Sequence, residues 1–409
     1  MLRTIILVFI YLAFTFYTWQ ALKTVARNQW IGVVFIVISF LVLGNFIYQF
    51  TIGREESRVI GRPQSYAFGF LLAIVAFMVI NLIVLFAEDV YRFFVAVYHK
   101  VADNQTQFTI PSRRKFLSKV ALGIAALPLS ALLFGMYKGK YNFKVLKYTL
   151  AFDDLPDEFD GYQITQISDV HSGSFDNREK IEYAINLVNE QKSDVLFFTG
   201  DMVNNKAEEM KPWADLFATL EAKDGKYSVL GNHDYGDYVD WNSPAEKIQN
   251  LEDLKQLQKE MGFDLLLNDS TYLERDGAKI ALIGVENWGK GGFKKAGDLQ
   301  KAKSKVANED FKILLSHDPS HWEQEVVSDA YHYHLTLSGH THGMQFGIEI
   351  PGWFKWSPVK WRYKYWAGIY EEMGQYINVN RGFGFLAYPG RVGIWPEITV
   401  ITLKKKPLV

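Results

Sequence analysis

Hydrophobic positions along this chain obey two different rules, and the changeover falls near residue 138. Before it they run almost without interruption. Residues 4 to 22, 28 to 53 and 63 to 87 contain no Asp, Glu, Lys or Arg. A helix needs about 20 predominantly apolar residues to cross the hydrocarbon of a bilayer. The pattern therefore predicts spans at about 4–22, 29–52 and 65–87. A fourth run, Val120 to Tyr137, is shorter, richer in Ala and Gly, and contains Pro128. It predicts a fourth helix at about 119–137.

Beyond residue 138 the apolar residues come in short β-branched or aromatic runs that alternate with amphipathic stretches, the signature of α/β structure. Strands are expected at Gln163 to Ser168, Val195 to Thr199, Tyr227 to Leu230, Lys279 to Val285, Phe311 to Ser316 and Leu335 to Ser338. Ile181, Ala184, Ile185 and Val188 stand at helical spacing after Asp176, which is expected to cap that helix. Ser243 followed by Pro244 has a cap residue and a Pro at the first helical position, opening a helix to about Met261. The stretch Gln375 to Leu403 reads as further strands that close a second sheet. Two domains follow: an all-α anchor over 1–137 and an α/β domain over 138–409.

Composition narrows the chemistry. The 409 residues carry a formal net charge of -1 with both signs intermixed over the second half, so no basic stripe points to nucleic acid, and no nucleic-acid partner is expected. There is no Cys, which removes disulfides, thiolate metal sites and a Cys nucleophile.

The candidate chemistry lies in five patches: Asp169-Val170-His171, Gly200-Asp201, Gly231-Asn232-His233-Asp234, Ser316-His317-Asp318 and Gly339-His340-Thr341-His342. Each falls just after the expected carboxyl end of a strand, where open α/β sheets place their ligands. Together they offer carboxylate, imidazole and amide oxygen in numbers sufficient for two metal ions. That donor set suits borderline divalent ions such as manganese, iron, zinc or cobalt. Two such ions activate water and clamp a phosphoryl group from both sides. Singly, an Asp-x-His or His-x-His pair is unremarkable on a surface turn; the joint occurrence carries the reading. His321, His332 and His334 fall outside the patches and read as packing or surface residues.

Five motifs in this order and spacing resemble the calcineurin-like metallophosphoesterase superfamily over roughly residues 145 to 405. The chain is most similar to its membrane-anchored branch, which includes bacterial phosphodiesterases and nucleotide-sugar diphosphatases acting on UDP-diacylglucosamine-like lipids. The resemblance implies a four-layer α/β/β/α sandwich, preceded here by the all-α transmembrane region. It also implies hydrolysis of a phosphodiester, phosphomonoester or pyrophosphate by a hydroxide that bridges two metals. Asp169, His171, Asp201 and His342 would hold the first ion. Asp201, Asn232, His317 and His340 would hold the second, with Asp201 bridging. His233 matches the family's acid or charge-stabilising histidine. One departure stands out: the carboxylate expected three residues after Asp201, as partner of that histidine, is replaced by Asn204, which leaves Asp234 or another acid to take its place.

Residues 112–119, Ser112-Arg113-Arg114-Lys115-Phe116-Leu117-Ser118-Lys119, resemble a twin-arginine export signal, read by its own machinery. That reading puts the catalytic part on the outer side of a bacterial cytoplasmic membrane, with the export machinery as a partner. The alternative is that these are ordinary positive charges flanking a helix. A dense aromatic and cationic run, residues 351 to 366, suits either a loop against anionic lipid, admitting a lipid-linked substrate, or a packed aromatic cap. Arg381, between a strand and Gly382-Phe383-Gly384, is a candidate phosphate clamp, although the glycines are equally explained by a tight turn. A different class also stays open: a transporter or sensor whose helices do the work and whose metal domain regulates them. Charges inside the spans would favour it, and none lies there, although Asn45 and Asn81 are polar.

Overall fold

The computed structural model describes residues 2–52, 60–101, 111–350 and 352–407. It forms two compact units, one ending at Tyr137 and one beginning at Lys138. Residues 102–110 and Pro351 of the aromatic run lie outside the described residues, as does the side chain of Ser112 in the export-like motif.

The first unit holds four helices: α1 (Leu2–Val25), α2 (Trp30–Thr51), α3 (Arg62–Val101) and α4 (Pro111–Tyr137). All four are long and apolar enough to cross a membrane. Small residues let three of them approach closely, with Ala21, Leu85 and Ala121 packed together. Two helices exceed their expected length, because charge does not end a helix when it finds a partner. The 40 residues of α3 span about 60 Å, twice the roughly 30 Å hydrocarbon core. Its continuation past Ala87 carries Glu88 and Asp89. Arg113 lies 3.6 Å from Glu88, and Arg114 pairs with Asp89, so α4 begins at Pro111 rather than near 119. Tyr17 of α1 also donates to Asp89.

In the second unit the chain runs through β1 (Lys144–Phe152), β2 (Gln163–Ile167), α5 (Arg178–Asn189), β3 (Val195–Phe198), α6 (Ala214–Ala218), β4 (Lys226–Ser228), α7 (Pro244–Glu260) and β5 (Phe263–Leu265). It continues through β6 (Asp269–Arg275), β7 (Ala278–Val285), α8 (Leu299–Ala302), β8 (Lys312–Ser316), α9 (Pro319–Gln324) and β9 (Leu335–Ser338). A small hairpin, β10 (Ile348–Ile350) with β11 (Phe354–Trp356), precedes β12 (Gly368–Glu372), β13 (Gln375–Val379) and β14 (Glu397–Lys405).

Two six-stranded sheets result, in the orders β1-β14-β2-β3-β4-β5 and β12-β13-β9-β8-β7-β6. Ile164, Val195 and Phe197 of the first sheet meet Leu282, Ile313, Leu315 and Leu337 of the second in one buried layer. Ile181, Ile185 and Leu254 cover the outer face of the first sheet, and Leu299, Ala302 and Trp322 that of the second. The unit is therefore a four-layer α/β/β/α sandwich, as expected.

Two local expectations are corrected. Asn177, not Asp176, caps α5 by accepting from the Lys180 amide; the Asp176 carboxylate is engaged instead by Lys140 at 2.6 Å. The chain after Gln375 does not all join the second sheet. Only β13 does, whereas β14 inserts into the first sheet, parallel to β1 and antiparallel to β2. Its residues are buried nearly throughout, so its hydrophobicity gives no hint of which sheet it enters.

Phe197 sits fully buried between the sheets. Phe197→Ala should cost about 3–5 kcal/mol, read as a lowered thermal unfolding midpoint of the second unit. An unchanged midpoint would contradict the inter-sheet packing described.

Candidate metal centre and active site

The parallel strands β2, β3, β4, β8 and β9 all point the same ends at one edge of the sandwich, and the five patches follow directly from those ends. The turns are tight enough to force unusual backbone. Asp169 (φ 51°), His171 (47°), Asp201 (60°), His340 (70°) and His342 (52°) all adopt the left-handed conformation. For non-glycine residues this costs on the order of 1–3 kcal/mol each and persists where the surrounding structure over-determines it. Glycine is required beside them: a Cβ on Gly231 would overlap the Asp201 carboxylate, and one on Gly339 would overlap Ser168 and Asp169.

The side chains converge. His342 Nε2 lies 3.2 Å from Asp169 Oδ1 and 2.9 Å from His171 Nε2. On the other side His317 Nε2 lies 3.3 Å from His340 Nδ1. The Asp201 carboxylate stands between the two groups, its Oδ2 3.6 Å from His171 Nε2 and 3.1 Å from His317 Nε2. Asp169, His171 and His342 form one trio able to hold an ion, and Asp201, His317 and His340 another.

Surrounding bonds fix which atoms face inward. His317 Nδ1 donates to the Thr199 carbonyl at 2.7 Å, leaving Nε2 as the ligand atom. His340 Nε2 meets the Tyr363 hydroxyl at 2.8 Å, leaving Nδ1. Asn232 donates its amide to Tyr238 at 2.9 Å, and its carbonyl oxygen is buried with no hydrogen-bond partner among the described residues. A buried acceptor without a donor, beside imidazole nitrogens crowded against one another, is the arrangement a cation completes. The donor set therefore fits divalent metal.

Electrostatics agree. Burial opposes ionisation of Asp169 and Asp201, yet His342 beside the one and His317 beside the other hold both carboxyls below their usual range. Burial lowers His340 to about 4 and holds His171 well below its ordinary value, so both are neutral donors near pH 7. Burial also acts on His317, but the Asp201 carboxylate outweighs it and raises that imidazole to about 10. His317 must give up this proton to bind an ion.

His233 sits edge-on to His171, with ring centroids 4.9 Å apart. Its Nδ1 lies 2.7 Å from the backbone carbonyl of Asn204. The place expected for a carboxylate is thus filled by main chain, not by the Asn204 amide, which bonds Ser174 instead. Asp234 is not that partner either. Its carboxylate accepts from the backbone amides of Gly231, Asp201 and Met202 at 2.8–2.9 Å, stapling the second patch to the third. Glu209 does the same for Asn204, Asn205 and Lys206, and burial pushes its carboxyl up to about 7 against those bonds.

Asp201, Asn232, His233, His340 and His342 open onto a cleft of about 360 Å³ whose other walls are largely apolar, with Phe293, Met344, Val359, Trp361 and Leu386 prominent. Arg381 is not brought to this cleft. Its guanidinium is buried and bound by Glu349 at 2.6 Å and by Glu397. The arginine that does line the cleft is Arg362, lying over Phe293 at 5.1 Å. Sequence reasoning passed over it as one cation among several in the aromatic run. It also missed Arg391, fully buried beneath the first trio and bound to the Gly384 carbonyl, because no motif surrounds it. His321 and His334 are buried packing residues, His321 stacked on Trp288 and His334 on Phe311.

A four-layer sandwich with clustered His and Asp at the strand ends has the architecture of a metallophosphoesterase. Residues 162–344 match the family described as calcineurin-like phosphoesterase, and residues 2–140 match its probable transmembrane domain. The chain is 31% identical over 299 residues to the uncharacterized metallophosphoesterase YkuE of Bacillus subtilis, covering 72% of this chain and 98% of that protein. It is 28% identical to the phosphodiesterase YaeI of Escherichia coli, covering 71% and 99%. A transmembrane protein with metallophosphoesterase domain from Danio rerio is 27% identical over 69% of this chain and 62% of its own length. The chain belongs to the calcineurin-like phosphoesterase family, in its membrane-associated form. Nothing in these matches supports the twin-arginine reading of 112–119.

Because Asn204 contacts His233 through its carbonyl, Asn204→Ala should change kcat by less than about threefold, whereas His233→Ala should cost on the order of 10²–10⁴-fold. Equal losses in steady-state assays would show that the Asn204 side chain matters.

Proposed function

We propose that this protein is a membrane-anchored, metal-dependent hydrolase of phosphoester bonds. In this reading Asp169, His171, Asp201 and His342 hold one divalent cation, and Asp201, Asn232, His317 and His340 hold a second. The observation that carries it is the Asp201 carboxylate standing within 3.6 Å of His171 on one side and 3.1 Å of His317 on the other. A carboxylate oxygen held between two groups of imidazoles is placed to serve two ions at once. Bound divalent metal would supply positive charge to a phosphoryl oxygen and a nucleophile from water at neutral pH.

The chain's own groups do the rest. Asn232 gives a neutral oxygen, so the ligand charge stays below that of two divalent ions and the centre attracts phosphate. His233, with Nδ1 bonded to the Asn204 carbonyl, keeps Nε2 for proton transfer. Once protonated, it donates to the leaving oxygen, and the carbonyl stabilises the imidazolium. A carbonyl does this less strongly than the carboxylate expected from the family pattern. Arg362 at the cleft wall offers paired donors to a phosphoryl oxygen. The apolar walls exclude water from the reacting bond.

We further propose that the four helices are a multi-pass anchor with the catalytic unit on the extracytoplasmic side. Lys23 and Arg27 cluster at the α1–α2 turn, and Lys100, Arg113, Arg114 and Lys115 flank the α3–α4 connection. Positive charge favours the cytoplasmic side; Lys138, Lys140, Lys144 and Lys147 stand beyond α4, so it is the export-like Arg113-Arg114 pair that favours a carboxyl-terminal unit outside.

Purified full-length protein should hydrolyse bis-p-nitrophenyl phosphate only with divalent metal, lose activity to chelator and regain it on metal return. Asp201→Ala and Asn232→Ala should each abolish it; metal-independent turnover, or full activity in either variant, would overturn the proposal. A reporter enzyme that matures only outside the cytoplasm, fused to the carboxyl terminus, should be active, and a silent reporter would reverse the topology.

A further inference from the structure

The β10–β11 hairpin reverses the usual order of an antiparallel pair. Its register sets Ile348 opposite Trp356, Glu349 opposite Lys355, and Ile350 opposite Phe354. Side chains alternate across a strand, so the four apolar residues share one face and the two charged residues the other. In a water-soluble sheet the polar face would point outward. Here the charged face points inward: Glu349 binds Arg381, while Lys355 donates to the Ala367 carbonyl and lies over the Tyr370 ring at 4.3 Å.

The apolar face is left outside. Ile348 is 55% exposed and Ile350 44%, with Phe354 beside them and Trp353, at the turn, 81% exposed. Trp361 (75%) and Met344 (54%) are also exposed, and both line the cleft as well. Other aromatics of the same run do pack: Tyr363, Tyr365 and Trp366 are buried. The run therefore divides into a cap and an exposed apolar surface that leads to the cleft mouth. A patch of this kind marks a contact surface.

We propose that this face lies in the headgroup–acyl boundary of a bilayer, and that the cleft takes a phosphoester carried by a bilayer lipid whose apolar chain leaves past Met344 and Trp361. The proposal rests on the hydrolase reading above. A bilayer is the occupant the chain itself favours. Lys138 follows directly on a helix able to cross a membrane, so lipid is always within reach. Tryptophan at a turn suits the headgroup level. Exposed Lys360 and Arg362 flank Trp361; they suit anionic headgroups and would repel the same patch on a second copy.

The chain has no Cys, so Trp353→Cys gives a single labelling site. Full-length protein bearing an environment-sensitive fluorophore there, in vesicles of phosphatidylcholine and phosphatidylglycerol, should show blue-shifted emission quenched by spin-labelled lipid. The same label at exposed Ile248→Cys on α7 should stay water-like. Ile350→Ser, Trp353→Ser and Phe354→Ser combined should leave bis-p-nitrophenyl phosphate hydrolysis unchanged. The same triple variant should lower kcat/KM for vesicle-borne diacylglyceryl p-nitrophenyl phosphate about tenfold, through KM, a difference of about 1.4 kcal/mol. A water-like label at 353, unchanged vesicle turnover, or quenching by a second labelled copy rather than by lipid would overturn it. Wild-type protein inert toward both substrates, with the label still in lipid, would count against the hydrolase reading alone.

Discussion

The chemistry of the second unit depends on where one carboxylate is held. Asp201 leaves β3 in a left-handed turn, with one oxygen fixed by the His233 amide at 2.8 Å and the other directed between His171 and His317. That position exists only because Gly231 has no side chain and Asp234 ties the two neighbouring turns together through backbone amides. If the turn shifted by an ångström, the Asp201 carboxylate would lose its place between His171 and His317. The strain stored in five non-glycine left-handed residues is consistent with a site whose geometry is imposed by the surrounding sheets.

Much of this was legible in the sequence, for a physical reason. A parallel strand buried on both faces, such as Val195–Phe198, reads as an unbroken apolar run that puts Asp201 at the sheet edge, whereas Gln163 and Gln166 of β2 and Lys226 and Ser228 of β4 interrupt the pattern, so Asp169 and Asn232 are marked by their motifs rather than by hydrophobicity. Hydrophobicity carries no record of which sheet a buried strand joins, so the residues of β14 do not mark it for the first sheet. Charge-free length likewise marks where a helix crosses a membrane but not where it stops. Glu88 and Asp89, paired with arginines of α4, carry both helices further than the apolar count implies. The partner of His233 was illegible for another reason: a backbone carbonyl leaves no trace in residue type.

The aromatic run shows the same limit from the other direction. Its composition was compatible with a packed cap and with an exposed apolar loop, and the structure contains a buried cap of Tyr363, Tyr365 and Trp366 beside an exposed apolar face. Period-two alternation separates them, because Glu349 and Lys355 are drawn inward by Arg381 and the Ala367 carbonyl, which forces Ile348, Ile350 and Phe354 out. Arg381 thus holds the hairpin through Glu349, while Arg362, one of several cations in that run, lines the cleft.

The central claim is that Asp201 serves two ions at once. Electron paramagnetic resonance of the manganese-loaded full-length protein tests this most directly. The account predicts an exchange-coupled spectrum from a pair of ions, lost in Asp201→Asn. An isolated-ion spectrum at saturating manganese, the same with and without the Asp201 carboxylate, would contradict it.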